Sequence, residues 1–134
     1  MKLIIGVKGT GKTKALIDMA NAALEMSKGS VICIEKGDKL RFDIKYQVRL
    51  IDSDEFSVTD ADALYGFVAG ILASDHDVTD LFIDSALKIC RNDLEAFDAF
   101  LLQIDALAKK IGVNIVITSS IPVEEASDTV KQFV

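Results

Sequence analysis

Proline, cysteine, histidine and arginine are all scarce in this chain, and each shortage removes a class of function. One proline in 134 residues leaves no Pro-rich linker. Cys33 and Cys90 stand far apart, without the paired spacing of a zinc site. Cys33 lies inside an apolar run, where a free cysteine acts as a small buried hydrophobe, so a reduced, cytoplasmic compartment is expected. The single histidine, His76, sits between Asp75 and Asp77 in a polar turn and reads as an exposed turn residue. No apolar run approaches the roughly 20 residues that a transmembrane helix requires. The opening MKLIIG reads as a strand rather than a signal peptide.

Basic charge is also short. The formal net charge is -6, which argues against a broad nucleic-acid surface, because duplex binding needs several Lys or Arg facing phosphates. Half of the residues are hydrophobic and 27% are charged, a globular composition too apolar for a disordered chain. The length is that of one ordinary domain, and no repeat or low-complexity tract divides residues 1–134.

Periodicity supplies the elements. Residues 2–6 (KLIIG) and 31–35 (VICIE) read as buried parallel strands, and 12–27 as the helix between them. From Leu40 to Leu50 apolar and polar residues alternate, which predicts a strand at 48–52 and an extended approach or short edge strand over 38–46. Thr59 and Asp62 have cap-like spacing before a helix at about 60–74. Residues 80–84 (DLFID) form a strand. Asn92 and Glu95 precede a helix whose Leu94, Phe97, Leu101, Ile104, Ala108 and Ile111 mark one face. Phe100 and Leu102 lie beside that stripe as candidates for exposure. Gly112 ends the helix, residues 113–119 are a further buried strand, and 130–134 form a last short strand or half-turn of helix. Strands alternating with helices predict an α/β fold in three layers, with a mostly parallel sheet of about five strands covered on both faces.

The sharpest motif is Gly6-Val7-Lys8-Gly9-Thr10-Gly11-Lys12-Thr13, which matches G-x-x-x-x-G-K-T, the Walker A pattern, with a strand before it and a helix after it. Glycines there let successive N–H groups turn inward around phosphate oxygens, and the helix start adds its positive end. Lys8, Gly9, Thr10, Gly11, Lys12, Thr13 and Lys14 are therefore the candidate nucleotide-binding residues. Lys12 would reach the β- and γ-phosphates, and the Thr13 hydroxyl would ligate Mg²⁺. Lys8 either adds charge against the phosphates or faces solvent. The apolar strand Leu81-Phe82-Ile83 closes on Asp84, the Walker B arrangement, so Asp84 joins Thr13 as a candidate magnesium residue. Ser85 follows it, so the Asp-Glu pair of many mechanical ATPases is missing. Glu35, at the end of VICIE, is the candidate for polarising water or a solvated loop residue beside Lys36.

These segments resemble the RecA/KaiC-like branch of the P-loop ATPases, with Glu after one strand and Asp-Ser after the next. The chain as a whole resembles a set of short bacterial ATP-binding P-loop proteins. The resemblance implies that Glu35 activates water, that Asp84 serves magnesium, and that a polar sensor ends the following strand, the place held by Ser119 with Thr118 and Ser120 beside it. It implies the strand order 48–52, 31–35, 81–84, 114–118, 3–6. No Asn-Lys-x-Asp motif occurs, so ATP is expected rather than GTP. The expected function is Mg-dependent ATP binding with weak hydrolase activity, as a switch or as the partner of another protein or of further copies of itself. A non-hydrolysing ATP-binding scaffold is the main alternative. A small-molecule kinase ranks below it, because Arg41, Arg49 and Arg91 are the only arginines available for a lid over the phosphates or for a finger across a subunit boundary.

Overall fold

Five short apolar segments become the strands of one sheet in the computed structural model, which describes all residues from Met1 to Val134. They are β1 (Lys2–Ile5), β2 (Ser30–Glu35), β3 (Arg49–Asp52), β4 (Val78–Ile83) and β5 (Asn114–Ser119). All pairings are parallel and the spatial order is β1-β5-β4-β2-β3, the order expected above. Parallel neighbours need crossover connections, and helices supply most of them. These are α1 (Lys12–Met26), α2 (Ala61–Ser74), α3 (Ala86–Ile89), α4 (Leu94–Ile111) and α5 (Asp128–Lys131). No helix is long and apolar enough to cross a membrane.

Strand parity sorts the core into two faces, because successive strand side chains point to opposite sides. Ile32, Ile34, Leu81, Ile83, Ile115 and Ile117 face α2 and α4, in a cluster of 26 buried residues that includes Phe97, Leu101 and Ile104. Val31, Cys33, Phe82 and Val116 face the other way, onto Leu16 and Ala20 of α1, in a cluster of 9. The edge of β1 is capped by the chain's end, where the Leu3 amide donates to the Phe133 carbonyl at 2.8 Å.

The stretch before β3 departs from expectation. Residues 38–46 are turns rather than an edge strand. Leu40, Ile44 and Val48 are buried against α1 with a spacing of four, whereas Phe42 is 85% exposed and Tyr46 91% exposed. Local partners outcompete sheet pairing here. The carboxylate of Glu35 accepts from the Lys39 and Leu40 amides, and the Leu40 carbonyl accepts from the Asp43 and Ile44 amides. Asn21 of α1 donates to the Asp43 carbonyl and accepts from the Lys45 amide, both at 2.9 Å. With those groups occupied, no ladder can form along the segment.

Caps fall one residue later than the spacing suggested. Asp60 rather than Thr59 caps α2 by accepting from the Ala63 amide at 2.7 Å, and Asp93 rather than Asn92 caps α4 by accepting from Ala96 at 3.0 Å. On α4, Phe100 is buried and stacks beside Phe97, whereas Leu94, Leu102 and Ile111 are exposed. The C-terminal segment adopts the helical option, as α5.

The one-turn α3 was not foreseen. It closes with the paired bonds of a Schellman turn: the Asn92 amide donates to Leu87 at 2.8 Å and the Arg91 amide to Lys88 at 3.0 Å. Arg91 and Asn92 are both left-handed, at φ 60 and φ 56. Arg91 holds the place that usually goes to glycine, so its Cβ crowds a carbonyl. Arg91→Gly should therefore raise stability by about 1 kcal/mol, seen as a melting temperature higher by roughly 3 °C.

Candidate functional site

The loop that joins β1 to α1 is built so that its amides point outward. Gly6 has φ 149, and a Cβ there would meet the Thr10 hydroxyl at 2.7 Å, so only glycine fits. Gly11 is left-handed at φ 85 and starts α1 without any side-chain cap. The loop is pinned through one acceptor: the Val7 carbonyl takes the Thr10 hydroxyl at 2.7 Å and the Lys12 ammonium at 2.8 Å. No amide from Val7 to Lys14 donates to another group of the protein. A run of free donors at a helix start, beside the Lys12 ammonium, has the chemistry to accept an oxyanion.

The cleft in front of this loop has a volume of about 470 Å³ and lies where the strand ends of β2, β4 and β5 meet α1. Six lysines line it, Lys8, Lys12, Lys14, Lys36, Lys39 and Lys88, against three carboxylates, Glu35, Asp54 and Asp84. A chain of net charge -6 thus concentrates positive charge in one concavity. Clustered cations in a concavity favour anions locally even where the total charge is negative. Two of these charges are partly engaged: Lys14 pairs with Asp18 at 3.0 Å and Lys36 with Asp54 at 2.8 Å.

Asp84 is the hub of the polar floor. It follows β4 directly and is only 8% exposed. Its amide donates to the Ile34 carbonyl at 2.8 Å, which ties it to β2. Thr118 accepts the Ser85 amide at 2.8 Å and donates its own hydroxyl proton to Asp84 Oδ1 at 2.7 Å. The Thr13 hydroxyl reaches both carboxylate oxygens, at 3.2 and 3.3 Å. Thr13 and Asp84 therefore present adjacent hard oxygen ligands beside the outward-facing amides. This set suits a Mg²⁺ that keeps several waters and shares phosphate oxygens, because such an ion needs only one or two protein oxygens.

Glu35 lines the same cleft, with each oxygen already accepting one amide. It is 3% exposed, with Oε1 accepting from the Lys39 amide at 2.9 Å and Oε2 from the Leu40 amide at 3.1 Å. Burial pushes its carboxyl above the usual range, and the negative charges of Asp84 and Asp52 push the same way, against the pull of the two amides. Ser119 does not reach the cleft at all. Its side chain is wholly buried, and its hydroxyl donates back to the Thr118 carbonyl at 2.7 Å, while Thr118 and Ser120 line the cleft.

Parity would have identified Thr118. Val116 faces α1, so Thr118 does too, and Ser119 shares the opposite face with Ile115 and Ile117. Glu35 and Asp84 follow the same rule from Cys33 and Phe82. Lys36, Lys39 and Lys88 also escaped the sequence reading: Lys36 and Lys39 join the cleft from the turn after β2 and Lys88 from the short helix α3, positions that only the folded chain reveals. His76 is exposed, and the buried thiols of Cys33 and Cys90 are both raised, that of Cys90 to about 12, so neither is a nucleophile. No protein-family model matches the chain, and no curated protein matches it.

Two outcomes test this arrangement. Thr118→Val should cost about 1–3 kcal/mol in urea denaturation, because it strands the Ser85 amide and one Asp84 oxygen, whereas Ser119→Ala should cost about 1 kcal/mol or less. Glu35 has a folded pKa above its ordinary 4.5. Its stabilising contribution is therefore complete below that value and is lost as pH rises through the raised one. The stability of the native protein minus that of Glu35→Gln should accordingly decline with pH across that window and level off above it.

Proposed function

We propose that this chain is a Mg-dependent ATP-binding protein of the P-loop type, with slow hydrolysis at most, working in the cytoplasm as a nucleotide-dependent switch. The observation that carries the reading is the set of free amides from Val7 to Lys14, opposite the Thr13–Asp84 oxygen pair. The amides and Lys12 would hold the phosphates, and Thr13 and Asp84 would hold magnesium or a water bound to it. Magnesium, when bound, would supply charge neutralisation at the phosphate oxygens. ATP is preferred to GTP because the guanine motif is missing from the sequence.

The switch reading has its own support. Glu35 touches the cleft on one side and, through the Lys39 and Leu40 amides, holds the turn that exposes Phe42 and Tyr46 on the other. A change at the phosphates would be transmitted to that turn, where an unidentified protein partner or a second copy would sense it. One geometric fact favours the non-hydrolysing alternative: both oxygens of Glu35 already accept amides, so its capacity to orient a water is reduced.

Mg-ATP at about 100 times its Kd should stabilise the native protein by roughly 2.7 kcal/mol, a shift that EDTA reduces and Lys12→Ala removes. An equal melting temperature with and without Mg-ATP would overturn the proposal. Phosphate release that is measurable and lost in Glu35→Gln selects the ATPase. ATP retained without release, alike in both proteins, selects the scaffold.

A further inference from the structure

A second pocket opens beside the first and shares two of its lysines. It has a volume of about 490 Å³, with Val58 and Ile89 among its apolar walls and Thr59, Lys36, Lys88 and Arg91 around them. Lys36 and Lys88 also line the cleft in front of the Gly6–Thr13 loop, so the two spaces adjoin. No carboxylate belongs to the lining of this second pocket. Lys36 is held by Asp54, but neither Lys88 nor Arg91 forms an ion pair. Asp60 and Asp93, whose charges are felt at Cys90, cap α2 and α4 through the Ala63 and Ala96 amides and pair with neither cation.

Arg91 is placed there at a cost. It occupies the left-handed position of the Schellman turn after α3, where glycine would be relaxed. Strain kept at a residue whose side chain lines a pocket points to a use for that side chain. Two unpaired cations converge here, one of them a guanidinium with its planar fork of donors. They match a phosphate monoester, which carries about -1.5 to -2 near neutral pH.

The geometry points to a second ligand site at Lys88, Arg91 and Thr59, which binds a small molecule through a phosphate group alongside the main cleft. Arg91, Thr59, Val58 and Ile89 take no part in the loop or its cleft, and Lys88 is the one residue of the proposed site that also lines that cleft. Arg91 supplies bidentate recognition, Lys88 bridges the two ligands, and the Thr59 hydroxyl completes the donors. Val58 and Ile89 form an apolar floor for the carbon portion of the ligand.

The test is a titration of inorganic phosphate into the full chain, followed by backbone amide shifts, with the native protein, Arg91→Gly and Thr59→Val compared. Arg91→Gly relieves the left-handed strain, so it remains folded and removes only the side chain. Saturable shifts at Thr59, Ile89 and residue 91 are expected in the native protein. Those at Thr59 and Ile89 should weaken on the order of tenfold in Arg91→Gly and by less in Thr59→Val. Repeating the titration with saturating Mg-ATP should leave the site available. Shifts at Thr59 and Ile89 that are missing, or equal in Arg91→Gly, overturn the proposal. So does Mg-ATP alone moving these amides and excluding phosphate, which would assign the pocket to the nucleotide. Failure of Mg-ATP to move the Gly9–Thr13 amides would count against the nucleotide reading only.

Discussion

The hydrogen bond from Thr118 to Asp84 is the contact on which the polar floor depends. A carboxylate that is almost out of water needs donors, and Thr118 and Thr13 provide them from two different elements. The same threonine anchors the Ser85 amide, so the chain leaves β4 in a fixed direction even though Ser85 is left-handed. One side chain thereby fixes β5, the end of β4 and the start of α1 relative to each other. Because Asp84 is committed to hydroxyl partners on the α1 side, the apolar residues of β4 are free to fill the opposite face. The separation of polar and apolar work across the sheet follows from that single parity.

The two faces are unequal, and the inequality matters for function. The α2–α4 side buries nearly three times as many residues as the α1 side, and it supplies most of the hydrophobic driving force. The thinner α1 side carries the loop, the cleft and the turn from Leu40 to Val48. Segments with fewer buried contacts open at lower free energy. The face that carries the glycine loop is thus supported by a larger apolar face behind the sheet.

Much of this was legible in the sequence. Strands, helices, the sheet order implied by the resemblance, and the placement of Lys12, Thr13, Glu35 and Asp84 around one cleft all emerged in the structure. The failures have definite physical causes. The alternation from Leu40 to Leu50 is real, but Glu35 and Asn21 capture the amides that a strand would need, and such long-range capture leaves no periodic trace. Ser119 was placed by its position at a strand end, whereas the period-two rule already assigned that face to the core and the next-door Thr118 to the site. Lys36 and Lys39 come from a turn, where sequence spacing does not define direction, and Lys88 from a helix too short to leave a periodic pattern. Arg91 reads from the sequence only as a candidate for a lid or a finger, because nothing in the sequence signals a left-handed arginine.

Asn21 gives helix α1 a second duty. The helix begins at the loop, and Asn21 lies two and a half turns further along, about 14 Å away, gripping the turn on both sides of Ile44. A helix is stiff over that distance. Any tilt or slide imposed at its first turn by charge gathering on the loop must be carried to the Asn21 amide and delivered as a pull on residues 43 and 45. Glu35 holds the near end of the same turn, so the segment is suspended from two points that both lead back to the cleft. Phe42 and Tyr46 ride on that suspended stretch, so both exposed rings are tied through Glu35 to the cleft and through Asn21 to α1.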